Sequence, residues 1–254
     1  MSAEQIVIST FYKFVDLPNY TVIKESLLIF CNQHKLKGTI LLAREGVNAT
    51  ISGERTDINF LYRHFVQNYG ITLTNSKESF LDRQPFEKMK VRLKKEIVTM
   101  GVPCINGNDP GHYVQPEQWD NFIAREDVVL IDNRNKYEIR LGSFKGAINP
   151  FTNHFRDFPQ WFECNQEKFV GKKIAMCCTG GIRCEKSTSY IKTKGIDEIY
   201  HLDGGILNYL EKFGDKNLSW YGDCFVFDDR IAVDQQLNQS AKVPRNYTKS
   251  FNET

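Results

Sequence analysis

The sequence lacks the features of membrane-spanning and secreted proteins. Its 254 residues contain no uninterrupted apolar run near the roughly 18 residues that a membrane span needs. The first five residues, Met-Ser-Ala-Glu-Gln, provide no basic stretch ahead of an apolar segment. The seven cysteines are odd in number and irregularly spaced, which favours reduced thiols over a disulfide framework. We therefore expect a soluble, cytoplasmic protein with no membrane partner.

Motifs for metals and common cofactors are also missing. Cys31, Cys104, Cys164 and Cys224 occur singly, without C-x-x-C spacing, so no zinc site is expected. We find no glycine-rich dinucleotide fingerprint, no haem or iron ligand set and no flavin signature. These patterns predict no metal and identify no cofactor. The net charge of +2 is too small to indicate a nucleic-acid partner by itself.

The most informative feature that is present is the six-residue segment Cys-Thr-Gly-Gly-Ile-Arg at 178–183. A buried strand is predicted just before it, over 172–177, and a helix is predicted to begin near Glu185. The glycines allow successive N–H groups to turn inward, and the helix start adds positive potential, so a thiolate would be stabilised. We therefore predict a sulfur nucleophile at Cys178, within an active-site loop formed by Thr179, Gly180, Gly181, Ile182 and Arg183.

Two neighbouring cysteines have different predicted roles. Cys177 ends the strand and is expected to be buried and inert. Cys184 opens the helix and is a candidate thiol for resolving an oxidised or persulfidated Cys178. Arg183 either holds an anion, such as a phosphate or the sulfur, or locks the loop through a salt bridge.

The pattern of strands and helices predicts two domains. The first has the order β-α-β-β-α-β of a ferredoxin-like α+β sandwich, with its last strand over 88–98. The second alternates strands and helices, as a parallel α/β domain does. The last segment is expected to hold an edge strand near 220–230 and then a loose polar end. The predicted boundaries are 1–99 for the first domain, 100–115 for a linker, 116–214 for the second domain and 215–254 for a C-terminal tail.

A row of basic residues marks the end of the first domain. Lys88, Lys90, Arg92 and Lys94 alternate with Met89, Val91 and Leu93. A strand here would bury the apolar set and display four cations on one face. That face suits either the phosphates of a nucleic acid or plain solvation.

The second half of the chain resembles a rhodanese domain over about 100 residues. The resemblance rests on Asp132, Glu138 and the surrounding residues 130–149, on the Cys178 loop, and on Leu-Asp-Gly-Gly-Ile at 202–206. In rhodaneses the first residue of the loop is a nucleophilic cysteine that carries a persulfide, which implies this role for Cys178. Asp132 and Glu138 are assigned to structure, where they fix Arg134 and the loop. Cysteine phosphatases use C-x5-R, whereas Cys178 and Arg183 enclose only four residues, which disfavours phosphatase chemistry.

Nearly the whole chain is similar to the rhodanese-like tRNA uridine hydroxylases. The similarity includes residues 37–53, 86–92 and 224–230. It implies an oxidoreductase that converts uridine 34 of the tRNA anticodon to 5-hydroxyuridine, with O2 as co-substrate and a reductant that the sequence does not identify. It also implies a tRNA anticodon stem-loop as substrate and a sulfur donor as a partner if a cysteine persulfide is formed. Longer members continue into a cysteine-rich tail that this sequence does not contain.

Several alternatives remain open at this point. Cys178 either attacks C6 of the uracil ring, carries sulfur, or relays electrons. The candidate tRNA contacts are Arg44, Lys88, Lys90, Arg92 and Lys94, and the candidate stacking aromatics are Tyr113, Trp119 and Phe144. The main competing function is a thiosulfate or persulfide sulfurtransferase, for which the second domain would suffice. A non-catalytic binding module is a third hypothesis, and the presence of Cys178 argues against it.

Overall fold

The computed structural model describes residues 5–73, 76–216, 219–228, 230–244 and 247. The chain forms two compact units, Met1–Val98 and Thr99–Thr254. No helix in the described residues is long and apolar enough to cross a membrane.

The first unit is a five-stranded sheet with two helices. Its strand order is β4-β1-β3-β2-β5, in which β5 runs parallel to β2 and the other pairs are antiparallel. The element bounds are β1 Ile6–Phe14, α1 Tyr20–Gln33, β2 Lys37–Ala43, β3 Gly46–Gly53, α2 Arg55–Tyr69, β4 Lys77–Leu81 and β5 Met89–Leu93.

The core of this unit follows from the spacing of apolar residues on its helices. In α1 Ile23, Leu27 and Cys31 are buried at intervals of four, so one stripe of the helix faces the sheet. In α2 a similar stripe ends at Phe65, whose ring meets that of Phe11 on β1 edge to face, with centroids 5.7 Å apart. Fully burying each such side chain contributes roughly 1.5–3 kcal/mol.

The strand that completes the predicted β-α-β-β-α-β order is β4, not the segment 88–98. β4 pairs with β1 at one edge of the sheet. None of its residues is fully buried, and apolar and polar residues do not alternate along it, so the sequence pattern does not identify it as a strand. The basic segment forms the short strand β5 at the opposite edge. After Lys94 the chain leaves the sheet, and the Ile97 amide donates to Glu45 Oε1 at 2.7 Å.

The second unit is built on a four-stranded parallel sheet with the order β6-β10-β9-β7. Two antiparallel pairs, β8 with β11 and β12 with β13, lie outside it. The bounds are β6 His112–Val114, α3 Pro116–Ile123, β7 Val128–Asp132, α4 Lys136–Ile139, β8 Gly142–Phe144, α5 Phe158–Asn165, β9 Lys173–Cys177, α6 Ile182–Lys192, β10 Ile199–Leu202, α7 Gly205–Phe213, β11 Trp220–Gly222, β12 Cys224–Phe225 and β13 Ala232–Val233.

Two expectations for this unit need correction. Strand β6 lies within residues 100–115, which were predicted to be a loop-like linker; its three residues are too few to show a period. The end that follows the predicted edge strand is not wholly loose. Val233 in β13 is buried in the same hydrophobic cluster as Trp119 and Leu130, so hydrophobic packing orders this part.

Candidate active site

The Cys178 loop lies at the carboxyl end of β9, a central strand of the parallel sheet. Helix α6 begins at Ile182, three residues before the predicted start near Glu185. Gly181 has φ +97° and occupies the N-cap position, so the reversal of the chain depends on a glycine conformation and not on a polar capping side chain. Ile182, Arg183 and Cys184 therefore belong to the first turn of the helix.

The Cys178 thiol lies among hydrogen-bond donors. The Gly181 amide donates to Cys178 Sγ at 3.2 Å. Burial alone would raise the pKa of Cys178, but the Cys184 thiol, the charge of Arg183 and the amides of Cys184 and Gly181 outweigh it and lower the pKa to about 6. The Cys178 thiolate is therefore the dominant form at neutral pH.

The other two cysteines near the loop behave differently. Burial raises the pKa of both Cys177 and Cys184 well above the ordinary value, so both remain thiols. The Cys177 thiol is fully buried, and its Sγ lies 3.9 Å from the carbonyl oxygen of Ile131. Cys184 is fully buried and donates to the sulfur of Cys178.

Arg183 is locked into a buried ion pair. Its guanidinium donates to both oxygens of Glu138, Nη1 to Oε2 at 2.6 Å and Nη2 to Oε1 at 2.7 Å. Burial would lower the pKa of Arg183, but Glu138 outweighs it and raises the pKa. Glu138 also accepts from the Asn135 amide at 3.0 Å, which holds the carboxylate in place. Arg183 thus locks the loop and supplies positive charge near Cys178.

A second buried ion pair lies at the carboxyl end of β7, the strand next to β9. Arg134 donates to Asp132 Oδ1 at 2.8 Å and to Oδ2 at 2.6 Å, and both side chains are fully buried. Asp132 Oδ2 also accepts from the Ser143 hydroxyl at 2.7 Å. Next to this pair, the Asn133 amide donates to the Cys177 carbonyl at 2.8 Å. The two predicted support carboxylates therefore serve different arginines, Asp132 fixing Arg134 and Glu138 fixing Arg183.

The turn before α7 packs against the loop. The Ile206 amide donates to the Cys178 carbonyl at 2.9 Å, and the Leu207 amide donates to the Thr179 carbonyl at 3.0 Å. Gly205 has φ +69°, and a Cβ there would come within 2.6 Å of the Cys178 carbonyl oxygen. Only glycine fits so close to the loop, which explains the second glycine of the Asp-Gly-Gly segment.

Comparison with known proteins agrees with this architecture. The family model described as "UPF0176 acylphosphatase like domain" matches residues 6–97, and "Rhodanese-like domain" matches 115–212. Proteins named tRNA uridine(34) hydroxylase from Wolbachia pipientis subsp. Culex pipiens (strain wPip) and Wolbachia pipientis wMel are 54% identical over 237 residues and 55% identical over 234. The first alignment covers 93% of this chain and 84% of the relative, and the second covers 92% and 85%.

This chain belongs to the tRNA uridine(34) hydroxylase family. A third member, from Wolbachia sp. subsp. Brugia malayi (strain TRS), is 52% identical over 237 residues, which are 93% of this chain and 88% of that protein. The matches also confirm the predicted fold class, an acylphosphatase-like or ferredoxin-like domain followed by a rhodanese domain.

The basic residues singled out in the sequence all lie in the first unit of this family member. Lys90 and Arg92 are in β5, and the backbone of Lys88 and Lys94 continues its pairing with β2. Among the alternating apolar residues only Val91 is buried, and Leu93 is 38% exposed, so the strand does not bury its whole apolar set as predicted. Arg44 lies between β2 and β3, in an exposed ion pair with Asp16.

The prediction of stacking aromatics is wrong for two of the three candidates. Trp119 and Phe144 are buried in the core, 0% and 1% exposed, and cannot receive a base. Tyr113 is 46% exposed on the edge strand β6. A different aromatic, Phe227, lies over Arg183, with Cζ 5.8 Å from the ring centroid. Its position could not be read from the sequence, because the hairpin that carries it has strands of only two residues.

Within the described part of the chain, no group of three or more His, Cys, Asp or Glu side chains is placed to hold a metal ion. All seven cysteines are free thiols, so no disulfide restrains the loop.

We predict that the Cys178 thiol titrates near pH 6 in this hydroxylase-family protein. The measurement is the ultraviolet thiolate absorbance against pH, taken as the difference between the wild type and Cys178→Ser. Replacing Cys184 with alanine removes one donor to the sulfur, so the midpoint should move toward the ordinary value of 9.0. Because the pKa of Cys178 is lower in the folded chain than its ordinary value of 9.0, ionisation of this thiol raises the free energy of unfolding. This contribution is complete above pH 9.0 and is lost as the pH falls to about 6.

The matched control for this titration is Cys31→Ala, which removes an equally buried cysteine from the first unit and should leave the midpoint unchanged. A wild-type midpoint near the ordinary thiol value would contradict the stabilised thiolate.

Proposed function

We propose that this chain hydroxylates C5 of uridine 34 in tRNA, with Cys178 as its reactive group. The observation that carries the proposal is the environment of Cys178. Its sulfur is held as a thiolate by the Gly181 amide, the Cys184 thiol and the charge of Arg183, on a loop that Glu138 locks in place. Relatives that match most of the chain bear the name tRNA uridine(34) hydroxylase, which supplies the substrate class.

The reactivity of uracil indicates how this sulfur would act, namely as a nucleophile toward the base. Uracil C6 is electrophilic, so sulfur held at Cys178 adds there and the C5–C6 electron pair moves onto C5. C5 then bonds to O2 and takes up a proton, which gives a hydroperoxide on the base. A thiol reductant delivers two electrons and two protons that break the O–O bond, leaving a hydroxyl on C5 and releasing water. C5 then loses its proton and the sulfur leaves C6. In sum, uridine, O2 and two thiols become 5-hydroxyuridine, water and one disulfide.

The burial of Cys178 favours a persulfide as the attacking group. Cys178 is only 1% exposed, so its own sulfur is shielded from a large substrate. A second sulfur would place the reactive atom one S–S bond, about 2 Å, farther out. The positive charge of Arg183 and the amides at the start of α6 would stabilise its anion. We therefore include a sulfur donor among the proposed partners.

The first unit provides a surface that fits the rest of the proposed substrate. Arg44 and the row Lys88, Lys90, Arg92 and Lys94 place cations at one end and one edge of its sheet. A row of cations can follow an RNA backbone, and an unpaired wobble base can be splayed into a pocket. We propose that these five residues contact the phosphates of the anticodon stem-loop.

The direct cellular experiment is mass spectrometry of nucleosides from tRNA. In cells that lack the gene and any other enzyme for this modification, 5-hydroxyuridine should disappear and return when the full chain is supplied. Failure of the full chain to restore 5-hydroxyuridine in these cells would overturn the proposal.

Sulfur transfer is the second candidate, because the same loop would stabilise a persulfide on Cys178 for any acceptor. Transfer of sulfur from thiosulfate to cyanide by the purified chain measures it. Efficient transfer by a chain that leaves tRNA unmodified would favour the sulfurtransferase.

Reversing charge on β5 should weaken tRNA binding. In the double variant Lys90→Glu and Arg92→Glu, lost phosphate contacts should reduce affinity by about 10-fold or more and lower the salt dependence by about one unit of slope per contact. The matched control is Lys24→Glu with Arg63→Glu, which reverses two exposed cations on the helices of the same unit. Binding curves at several salt concentrations provide the test, and equal losses in both double variants would contradict a specific contact by β5.

A further inference from the structure

The C-terminal part of the second unit contains a small hairpin near the Cys178 loop. Strands β12 and β13 pair antiparallel, with Cys224 opposite Val233 and Phe225 opposite Ala232. All four residues are buried, so the base of the hairpin belongs to the core of the unit. Both ends of the connection between the two strands are therefore anchored in the core.

The described residues between the two strands are joined by hydrogen bonds, and one of them has a strained backbone conformation. Arg230 donates to both oxygens of Asp228, Nε to Oδ1 at 2.9 Å and Nη2 to Oδ2 at 2.6 Å. The Val226 amide donates to the Ile231 carbonyl at 2.9 Å, and the Ile231 amide donates to the Asp228 carbonyl at 3.0 Å. Ile231 has φ +63°, a conformation that is unfavourable for a β-branched residue. Such strain persists only where the surroundings impose it, and it is concentrated at functional sites.

The connection carries an exposed aromatic ring beside the Cys178 loop. Phe227 is 60% exposed, although its neighbours Val226 and Asp228 are buried. One side of the ring is held by Phe225, edge to face at 5.0 Å. The Arg183 guanidinium approaches it within 5.8 Å, and Arg183 belongs to the same turn that stabilises the Cys178 thiolate. Folding thus leaves a large apolar surface in water next to Arg183 of the active-site loop, at a cost in hydrophobic free energy.

We propose that Phe227 is the residue on which the target uracil stacks when it enters the Cys178 loop. The assignment rests on the proposed function, because it takes an unpaired pyrimidine of RNA as the occupant. Aromatic side chains bind splayed bases through their faces, and an adjacent guanidinium adds cation–π attraction. Among the described residues of this unit Phe151 is also strongly exposed, but it has no described contact with the loop, whereas Phe227 contacts Arg183.

The test uses the full chain and an anticodon stem-loop RNA that carries unmodified uridine 34. Phe227→Leu keeps an apolar side chain but removes the ring, and Phe227→Trp keeps a ring. The matched control is Phe80→Leu, since Phe80 is 53% exposed and lies 5.9 Å from the Cζ of Arg55 in the first unit. RNA affinity, KM and kcat are measured together with the thiolate titration of Cys178.

We expect Phe227→Leu to raise KM and weaken RNA binding by roughly 10- to 100-fold, because stacking acts on the bound base. The value of kcat and the Cys178 titration should change little, and Phe227→Trp should stay within a few-fold of the wild type. Equal behaviour of Phe227→Leu and Phe80→Leu would overturn the assignment. A shifted thiol titration without rescue by tryptophan would also overturn it, because Phe227 would then act only by covering Arg183.

The same measurements separate this inference from the proposed function. If the wild type binds the RNA in a Phe227-dependent way but forms no 5-hydroxyuridine, the hydroxylase proposal fails and the stacking role stands. If the wild type hydroxylates the RNA and Phe227→Leu does so equally well, only the stacking role fails. A wild type that neither binds nor modifies the RNA would overturn both.

Discussion

Cys178→Ser is expected to abolish the formation of 5-hydroxyuridine, with a loss of roughly 10³-fold or more in kcat/KM. A serine hydroxyl is not ionised near neutral pH and cannot carry a second sulfur, so the Gly181 amide and the charge of Arg183 would have no anion to stabilise. The measurement is single-turnover conversion of uridine 34 in purified tRNA. The nearly isosteric change should leave the fold intact.

The matched control for this variant is Cys164→Ser, which replaces an exposed free thiol of the same unit. It should keep wild-type activity, because Cys164 lies in α5 and has no described contact with the loop. Activity of Cys178→Ser within a few-fold of that of Cys164→Ser would contradict a role for Cys178 sulfur in the reaction.

Glu138→Gln is expected to lower the free energy of unfolding by roughly 3–5 kcal/mol, the cost of leaving one member of a buried ion pair without its partner. The glutamine cannot balance the charge of Arg183, which is only 6% exposed and makes both of its short bonds to Glu138. Activity should fall as well, since Arg183 holds the turn around Cys178. Urea unfolding followed by fluorescence measures the change.

A bidentate pair on the surface of the same unit provides the control. Arg125 donates to Asp127 at 2.9 and 2.7 Å, but both side chains are about half exposed. Asp127→Asn should therefore change stability little, because solvent already screens the pair. The double variant Glu138→Gln with Arg183→Met should recover part of the loss, since it removes the uncompensated charge. If Glu138→Gln were as mild as Asp127→Asn, the locked loop would be refuted.

The sequence identifies the part of the site that is continuous along the chain. The Cys178 loop was predicted from a glycine pair between a buried strand and a helix, and the structure places that loop at the carboxyl end of β9. The start of α6 was misplaced because Gly181 caps the helix through a left-handed conformation, which leaves no polar cap in the sequence. Spacing also could not show that Glu138 pairs with Arg183, 45 residues away, since that pairing depends on the tertiary fold.

The parts that were missed are short or marginally buried. Strand β4 shows no alternation, and the segment 88–98 took its place in the predicted order because its alternation is stronger. Their positions at opposite edges of the sheet are decided by pairing with β1 and β2, which are distant in sequence. The hairpin that carries Phe227 has two-residue strands, and its burial comes from packing on the rest of the unit. Local patterns carry little information about such contacts.

The most direct test of the proposed function is hydroxylation of tRNA by the purified chain under isotopically heavy O2. The reductant in this assay is a thiol. We predict that uridine 34 is converted to 5-hydroxyuridine, that the new hydroxyl carries the heavy isotope, and that Cys178→Ser forms none. Absence of the product with wild-type protein, or a hydroxyl oxygen that comes from water, would contradict the account.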